Sequence, residues 1–149
     1  MVHSEGNLAH LETVQKYYDE AQKYYDVMWG KGLHYGLWTK GIHTRKEAIE
    51  NENKILSDIA EIAPGDIVLD AGSGIGDSSV WLSQQCKAHV LEFNVTHSQL
   101  VRVQKYAIKQ RVASLPYFIQ GDYHELPFAS ESIDVFWSLE SMEHAYNVS

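Results

Sequence analysis

Apolar residues along this chain fall into two alternating rhythms: three- and four-residue steps that mark helices, and short unbroken runs that mark strands. Leu11, Val14, Tyr18, Ala21, Tyr25 and Met28 recur at helical steps, so residues 8–28 are expected to form an amphipathic helix. Its Tyr17, Tyr18, Tyr24 and Tyr25 form two aromatic pairs a heptad apart, suited to packing on a core or to reaching a ligand with a hydroxyl. The rhythm lapses over residues 29–43, WGKGLHYGLWTKGIH, which read as a loop. That loop is either a plain connection or a lid, with His34, Tyr35 and Trp38 as candidate lining. Thr44-x-x-Glu47 is a capping box that opens a second helix, and Pro64-Gly65 stops it. Ala48, Ile49, Ile55, Leu56, Ile59, Ile62 and Ala63 fall on one side, with Glu52 the polar intruder; Glu50, Lys54, Asp58 and Glu61 form the solvated face.

Beyond Pro64 the runs shorten and alternate with helical stretches. Ile67–Asp70, Ala88–Phe93, Leu115–Gln120 and Ile133–Leu139 read as strands, the last apolar on both faces like a strand inside a parallel sheet. Between the second and third lies a helix over 96–112, with Leu100, Val103, Ala107 and Ile108 inward and Arg102, Lys105 and Lys109 outward. Strands that alternate with helices predict an α/β fold built on a parallel sheet.

The chemistry concentrates where the first strand ends. In IVLDAGSGIGDSSVW (67–81) the strand runs into Gly72, Gly74 and Gly76, and a helix carrying Val80, Trp81 and Leu82 follows. Glycine allows φ > 0 and close approach of a ligand to the main chain. The helix start offers unpaired N–H groups and a positive dipole end. A dinucleotide site requires G-x-G-x-x-G. Here the third position of that frame is Asp77, which would face a pyrophosphate badly. Asp70, two residues before the first glycine, suits a ligand with an ammonium group. A nicotinamide-dependent oxidoreductase is therefore the weaker reading of the strand–turn–helix unit.

Three later strand ends add candidates. Asn94 lies 22 residues after Gly72, where a nucleoside ribose meets the second strand of such a sheet, and Glu92 competes for that place. Asp122 can accept from an exocyclic amine such as that of adenine, and Tyr123 can stack on the ring. Glu140, Glu143 and His144 follow the fourth strand at its carboxyl end, and His144 is the best-suited general base. Three of His34, Glu140, Glu143 and His144 could surround a metal, but their spacing matches no ligand pattern, so none is expected.

Charge and composition narrow the class. A net charge of −8 argues against affinity drawn from nucleic-acid phosphates. No run of 18 apolar residues predicts a membrane span, and the N-terminus lacks the pattern of a signal peptide. The single Cys86 cannot form an internal disulfide, which fits a reducing cytoplasm.

Four motifs now stand in order: VLDAGSGIG (68–76), LEFN (91–94), GDYHELPF (121–128) and IDVFWSLESMEHA (133–145). Together they resemble the class I S-adenosylmethionine-dependent methyltransferase superfamily. The tyrosine-rich first helix, WGKGLHYGLW and ESMEHA make the chain most similar to small-molecule members, the sterol and tocopherol C-methyltransferases and methyltransferase type 11 domains. The resemblance implies a Rossmann-like fold: a parallel sheet with helices on both faces and an N-terminal helical cap. It divides the chain into a helix and lid loop (1–43) and a cofactor-binding domain (44–149). It implies S-adenosylmethionine as cofactor. Asp70, Gly72, Ser73 and Gly74 would hold its methionine end, with Gly76 also in the cofactor site, Asn94 at the ribose, Asp122 and Tyr123 at the adenine, and Ser138 beside it. Glu140 and His144 would border the acceptor, with Tyr17, Tyr25, His34 and Tyr35 closing the pocket. Glu92 departs from the family pattern, which usually has a small residue there.

The family sheet has seven strands in the order 3-2-1-4-5-7-6, and this chain supplies four. The later strands are therefore expected to be missing, and strand 133–139 to be an edge despite its apolar character. The expected function is methyl transfer to a small-molecule acceptor, with this chain as the cofactor-binding part. The alternative is a cofactor-binding module without catalysis of its own, completed by a homodimer or by a complementary chain.

Overall fold

The structure, a computed structural model, describes residues 5–28, 34–112, 116–122, 124–142 and 145, with side chains of the first helix described over 9–21. Helix α1 (Glu5–Met28) precedes α2 (Arg45–Ile59), and then strands and helices alternate: β1 (Ile67–Ala71), α3 (Asp77–Gln85), β2 (His89–Asn94), α4 (His97–Lys109), β3 (Tyr117–Gln120) and β4 (Val135–Trp137). All strand pairs are parallel, in the order β3-β2-β1-β4. The chain moves outward from β1 to β3 and then returns to the other side of β1. The crevice between β1 and β4 is thus the point where the winding reverses, the usual ligand position in such sheets.

Register fixes which residues share a face. Asp70 pairs with Glu92 on one side and Trp137 on the other, and Val68 pairs with Val90 and Val135. That face carries the core: Val68, Val90, Trp137, Ala88 and Leu82 of α3, with Leu56 and Ile62 packed against them. Val80 of α3 joins Ala107 and Val112 at α4, so α2, α3 and α4 cover the same side. Helices on both faces were expected; among the described elements the opposite face carries the 121–128 segment, where Phe128 packs 5.9 Å from Phe93. The rest of that face is open, with Tyr117 64% and Phe136 49% exposed.

Several boundaries differ from the sequence reading for local reasons. Helix α2 stops at Ile59, because Ala60 caps it and Glu61 adopts φ 53, so the helix never reaches Ala63. Ile59, expected inward, is exposed. Leu56 packs against the core as expected, but the fully buried positions past Ile49 are Asn53 and Ser57, which are tolerated because Asn53 Oδ1 accepts from Ser78 Oγ at 2.9 Å and Ser57 Oγ donates to Lys54 O. Ile108 of α4 is exposed, while Leu100, Val103 and Ala107 are buried as the periodicity required. Strand β4 is shorter than 133–139 and lies at the sheet edge among the described strands. Only Trp137 of its three residues is buried; Phe136, expected inside, faces the open side. In the first helix Tyr17 is half exposed and meets Tyr18 edge-on at 5.3 Å rather than entering the core.

Candidate functional site

The turn after β1 is built as its glycines require. Gly72, Gly74 and Gly76 all have positive φ, 81°, 55° and 77°, a region that L side chains enter at a cost. Gly72 N donates to Phe93 O at 2.7 Å, holding the turn across the end of β2, and Gly76 N donates to Ser73 O. At Gly76 there is a second reason. A Cβ there would stand 2.2 Å from Val103 Cγ1 and 2.9 Å from Glu92 Oε1.

Beneath the turn lie two carboxyl groups. Asp70 is 3% exposed and accepts from Ser79 Oγ of α3 at 2.5 Å. Burial pushes its pKa up to about 6, against the opposing effect of the Ser79 hydrogen bond. Glu92, beside it in register, is fully buried. Burial, and after it the neighbouring Asp70 charge, drive its carboxyl well above the ordinary value. The Ser73 and Ser79 hydroxyls favour its charged form, but neither carboxyl oxygen makes a hydrogen bond of normal geometry. Glu92 therefore sits under the glycine turn, not at the strand mouth where a ribose partner would stand.

Asn94 does reach the strand mouth, but its amide is engaged within the chain: Oδ1 accepts from Thr96 N at 2.9 Å and Nδ2 donates to Gln99 Oε1 at 3.0 Å. Asp122 lies past β3, where its Oδ1 accepts from His124 N and meets His124 Nδ1. Its Oδ2 is buried with no partner among the described residues, an acceptor left for another group. After β4, Ser138 Oγ lies 2.8 Å from Ser141 Oγ, and Ser141 donates to Ala71 O at 2.7 Å. This chain of hydroxyls ties the end of β4 to the end of β1. Tyr25 (as a side chain), Tyr123, Glu143 and His144 lie outside the described residues.

The N-terminal segment sits above these strand ends. Gln15 Nε2 of α1 donates to Val95 O, and Ser98 Oγ donates to Asp19 Oδ1. The loop before α2 is anchored: Leu37 N donates to Ala48 O, Asn51 Nδ2 donates to Leu37 O, and Gly36 lies so close to Ala48 and Ile49 that a Cβ would come within 2.7 Å of their backbone. Arg45 donates to His34 O, and Tyr35 N donates to Glu140 Oε1 at 3.0 Å. Loop and β4 end thus meet over the crevice. His34 is part-buried there, whereas Tyr35 and Trp38 project into solvent, 70% and 54% exposed.

Four residues of this region escaped the sequence reading. Ser79, Ser141 and His124 are polar side chains in helix or turn positions with no local signal. The fold brings Ser79 to Asp70 and Ser141 to Ala71, whereas His124 meets Asp122 two residues before it. Glu52 was visible as a polar intruder, but its neighbours His34 and Glu140 were not.

The strand order and the site on its central crevice define a Rossmann-like, ligand-binding α/β domain. The methyltransferase domain family matches residues 69–149, more than half of the chain. The chain belongs to that family, and its fold is that of the class I S-adenosylmethionine-dependent methyltransferases. It is 34% identical to methyltransferase GfsG of Streptomyces halstedii, over 95% of this chain and 52% of that protein. It is 27% identical to the sterol 24-C-methyltransferase erg6 of Schizosaccharomyces pombe, over 89% of this chain and 35% of that protein. Among solved structures, the [4+2]-cyclase SpnF superposes with a TM-score of 0.77 at 18% identity, covering 85% of this chain and 48% of that one. The cyclopropane synthase MmaA2 of Mycobacterium tuberculosis does so with 0.74 at 19% identity, covering 87% and 45%. The chain spans about half the length of the first curated relatives it matches.

Proposed function

We propose that this chain binds S-adenosylmethionine across the carboxyl ends of its strands and directs methyl transfer to a small-molecule acceptor. The observation that carries this reading is the Asp70–Gly76 turn. Three left-handed glycines lie over a buried carboxyl group at the centre of the parallel sheet, in a chain of the methyltransferase family. The geometry suits the group: the turn brings backbone close to the crevice, and Asp122 Oδ2 is a buried acceptor at the third strand end without a partner among the described residues. When bound, the sulfonium supplies a methyl group already activated for displacement.

What remains for the protein is alignment, exclusion of water and removal of a proton. Asp70, Gly72, Ser73, Gly74 and Gly76 are assigned to the methionine end. Asn94 is assigned to the ribose edge, where its amide fixes the shape of the strand end. Asp122 and Tyr123 are assigned to the adenine, and Ser138 to the wall beside the reacting centre. Glu140 and His144 border the acceptor, and His144 takes the proton that an oxygen, carbon or ammonium acceptor releases as the new bond to methyl forms. Tyr17, Tyr25, His34 and Tyr35 are assigned to the acceptor side. The free, half-buried Cys86 thiol suits the cytoplasm.

The test is isothermal titration with S-adenosylhomocysteine beside an Asp70→Ala variant, followed by transfer of labelled methyl to sterol and 27-O-demethylrifamycin SV acceptors. Binding that the variant loses is expected. Absence of binding by the folded chain would overturn the reading. Binding without turnover on any acceptor would favour the module reading, with the sheet completed by a second copy or another chain.

A further inference from the structure

Three ligand-bearing side chains from separate parts of the sequence converge at the rim of the β1/β4 crevice. One ring nitrogen of His34, one carboxylate oxygen of Glu52 and one of Glu140 all lie within 4.8 Å of one another. The fold assembles them deliberately. His34 is held by Arg45 through its carbonyl, and Gly36 seats the loop on α2 two residues later. Glu52 projects from α2, and Glu140, in a left-handed conformation with φ 50, is fixed by the amide of Tyr35.

We propose that His34, Glu52 and Glu140 form a binding site for a divalent metal cation of the manganese or zinc type, with open coordination positions facing the crevice. Two independent observations point to a missing ligand. His34 Nδ1 and Glu52 Oε2 are both removed from solvent, and neither has a hydrogen-bond partner among the described residues. Buried polar atoms left unsatisfied are costly, and two of them beside each other call for a bound group. A cation is the group that fits, because two carboxylate oxygens and an imidazole nitrogen, all lone-pair donors to a metal, converge within 4.8 Å of one another. Arg45 is the opposing positive charge nearby, and its guanidinium is already engaged with the His34 carbonyl.

The donor set narrows the metal. One imidazole nitrogen with two carboxylate oxygens lies between the all-oxygen sites of Mg²⁺ and the sulfur-rich sites of structural Zn²⁺. Ligand atoms on a tetrahedral ion with bonds of about 2.1 Å stand about 3.4 Å apart, so a small side-chain adjustment closes the observed spacing. Three protein ligands leave positions for water or for an oxygen of a bound small molecule. That last role, polarising an acceptor oxygen, rests on the methyl-transfer reading; metal binding itself does not.

The test is titration of the full chain with Mn²⁺ alone, reading the free ion by electron paramagnetic resonance, with Zn²⁺ added afterwards as competitor. One Mn²⁺ per chain, displaced by Zn²⁺, is expected. His34→Ala, Glu52→Gln and Glu140→Gln should each weaken binding by about tenfold or more. The exposed controls His43→Ala and Glu61→Gln should not change it. Circular dichroism confirms that each variant folds. No uptake by the folded chain at millimolar Mn²⁺, or uptake undiminished in both His34→Ala and Glu52→Gln, would overturn the proposal. S-adenosylhomocysteine titrated into the same samples reads the cofactor site separately. Mn²⁺ uptake without it would leave the metal site standing and sink the methyl-transfer reading, and the converse would do the reverse.

Discussion

Asp70 and Glu92 face each other in register on adjacent parallel strands, both buried under one glycine turn, with the Ser79 hydroxyl donating to Asp70. Both carboxyl groups are held above their ordinary pKa in the folded state, chiefly by burial. The folded chain therefore keeps protons that the unfolded chain releases, and stability falls as pH rises from the ordinary carboxylate range through the folded pKa of Asp70, about 6. At about 1.4 kcal/mol per pKa unit, Asp70 alone accounts for a loss on the order of 3 kcal/mol. Urea denaturation at pH 4.5 and pH 8 should show the chain less stable at the higher pH. Glu92→Gln should flatten that dependence and raise stability at pH 8. A pH-independent midpoint in the native sequence would contradict the buried pair.

Gly76→Ala should destabilise the fold by about 2–3 kcal/mol, because it combines positive φ with overpacking. Its methyl group would stand 2.2 Å from Val103 Cγ1. Adding Val103→Ala removes the clash but not the backbone strain. The double variant should therefore show less than the sum of the two single losses in denaturation midpoints, and strict additivity would exclude the contact as the cause.

The adenine-side assignment is tested at Asp122, whose Oδ2 is buried without a partner among the described residues. Asp122→Asn should weaken S-adenosylhomocysteine by about tenfold, the scale of one hydrogen bond to a charged group. Affinity unchanged in calorimetry would remove Asp122 from the site.

Asn53 and Ser78 link α2 to the first turn of α3 through a buried hydrogen bond of 2.9 Å. Either single alanine variant should cost about 1–3 kcal/mol, because the remaining partner is left unsatisfied. The double variant should cost less than the sum, giving a coupling of about 1 kcal/mol in a denaturation cycle.

Much of the fold was legible in the sequence because its signals are local. Periodicity marked α2 and α4, the Thr44–Glu47 box fixed the start of α2, and Gly72, Gly74 and Gly76 announced the turn that their positive φ values require. Local signals also misled. Ile59 and Ile108 sit at helical steps with the core residues yet are exposed, because a helix face is wider than the surface its neighbours cover. Phe136 read as interior, but nothing described in the chain covers its side of β4.

The sequence alone determined that a strand, a glycine turn and a helix stand behind Asp70, that parallel strands alternate with helices, and which family pattern they follow. Those properties depend on residues within a few positions of one another. Only the tertiary structure decided that Glu92 lies beneath Gly76, that Ser141 ties β4 to Ala71, and that His34, Glu52 and Glu140 share one small volume. Each of those depends on strand register and on how α2 and its preceding loop pack. Register and packing are settled by the sum of contacts across the whole domain, so no short stretch of sequence carries them.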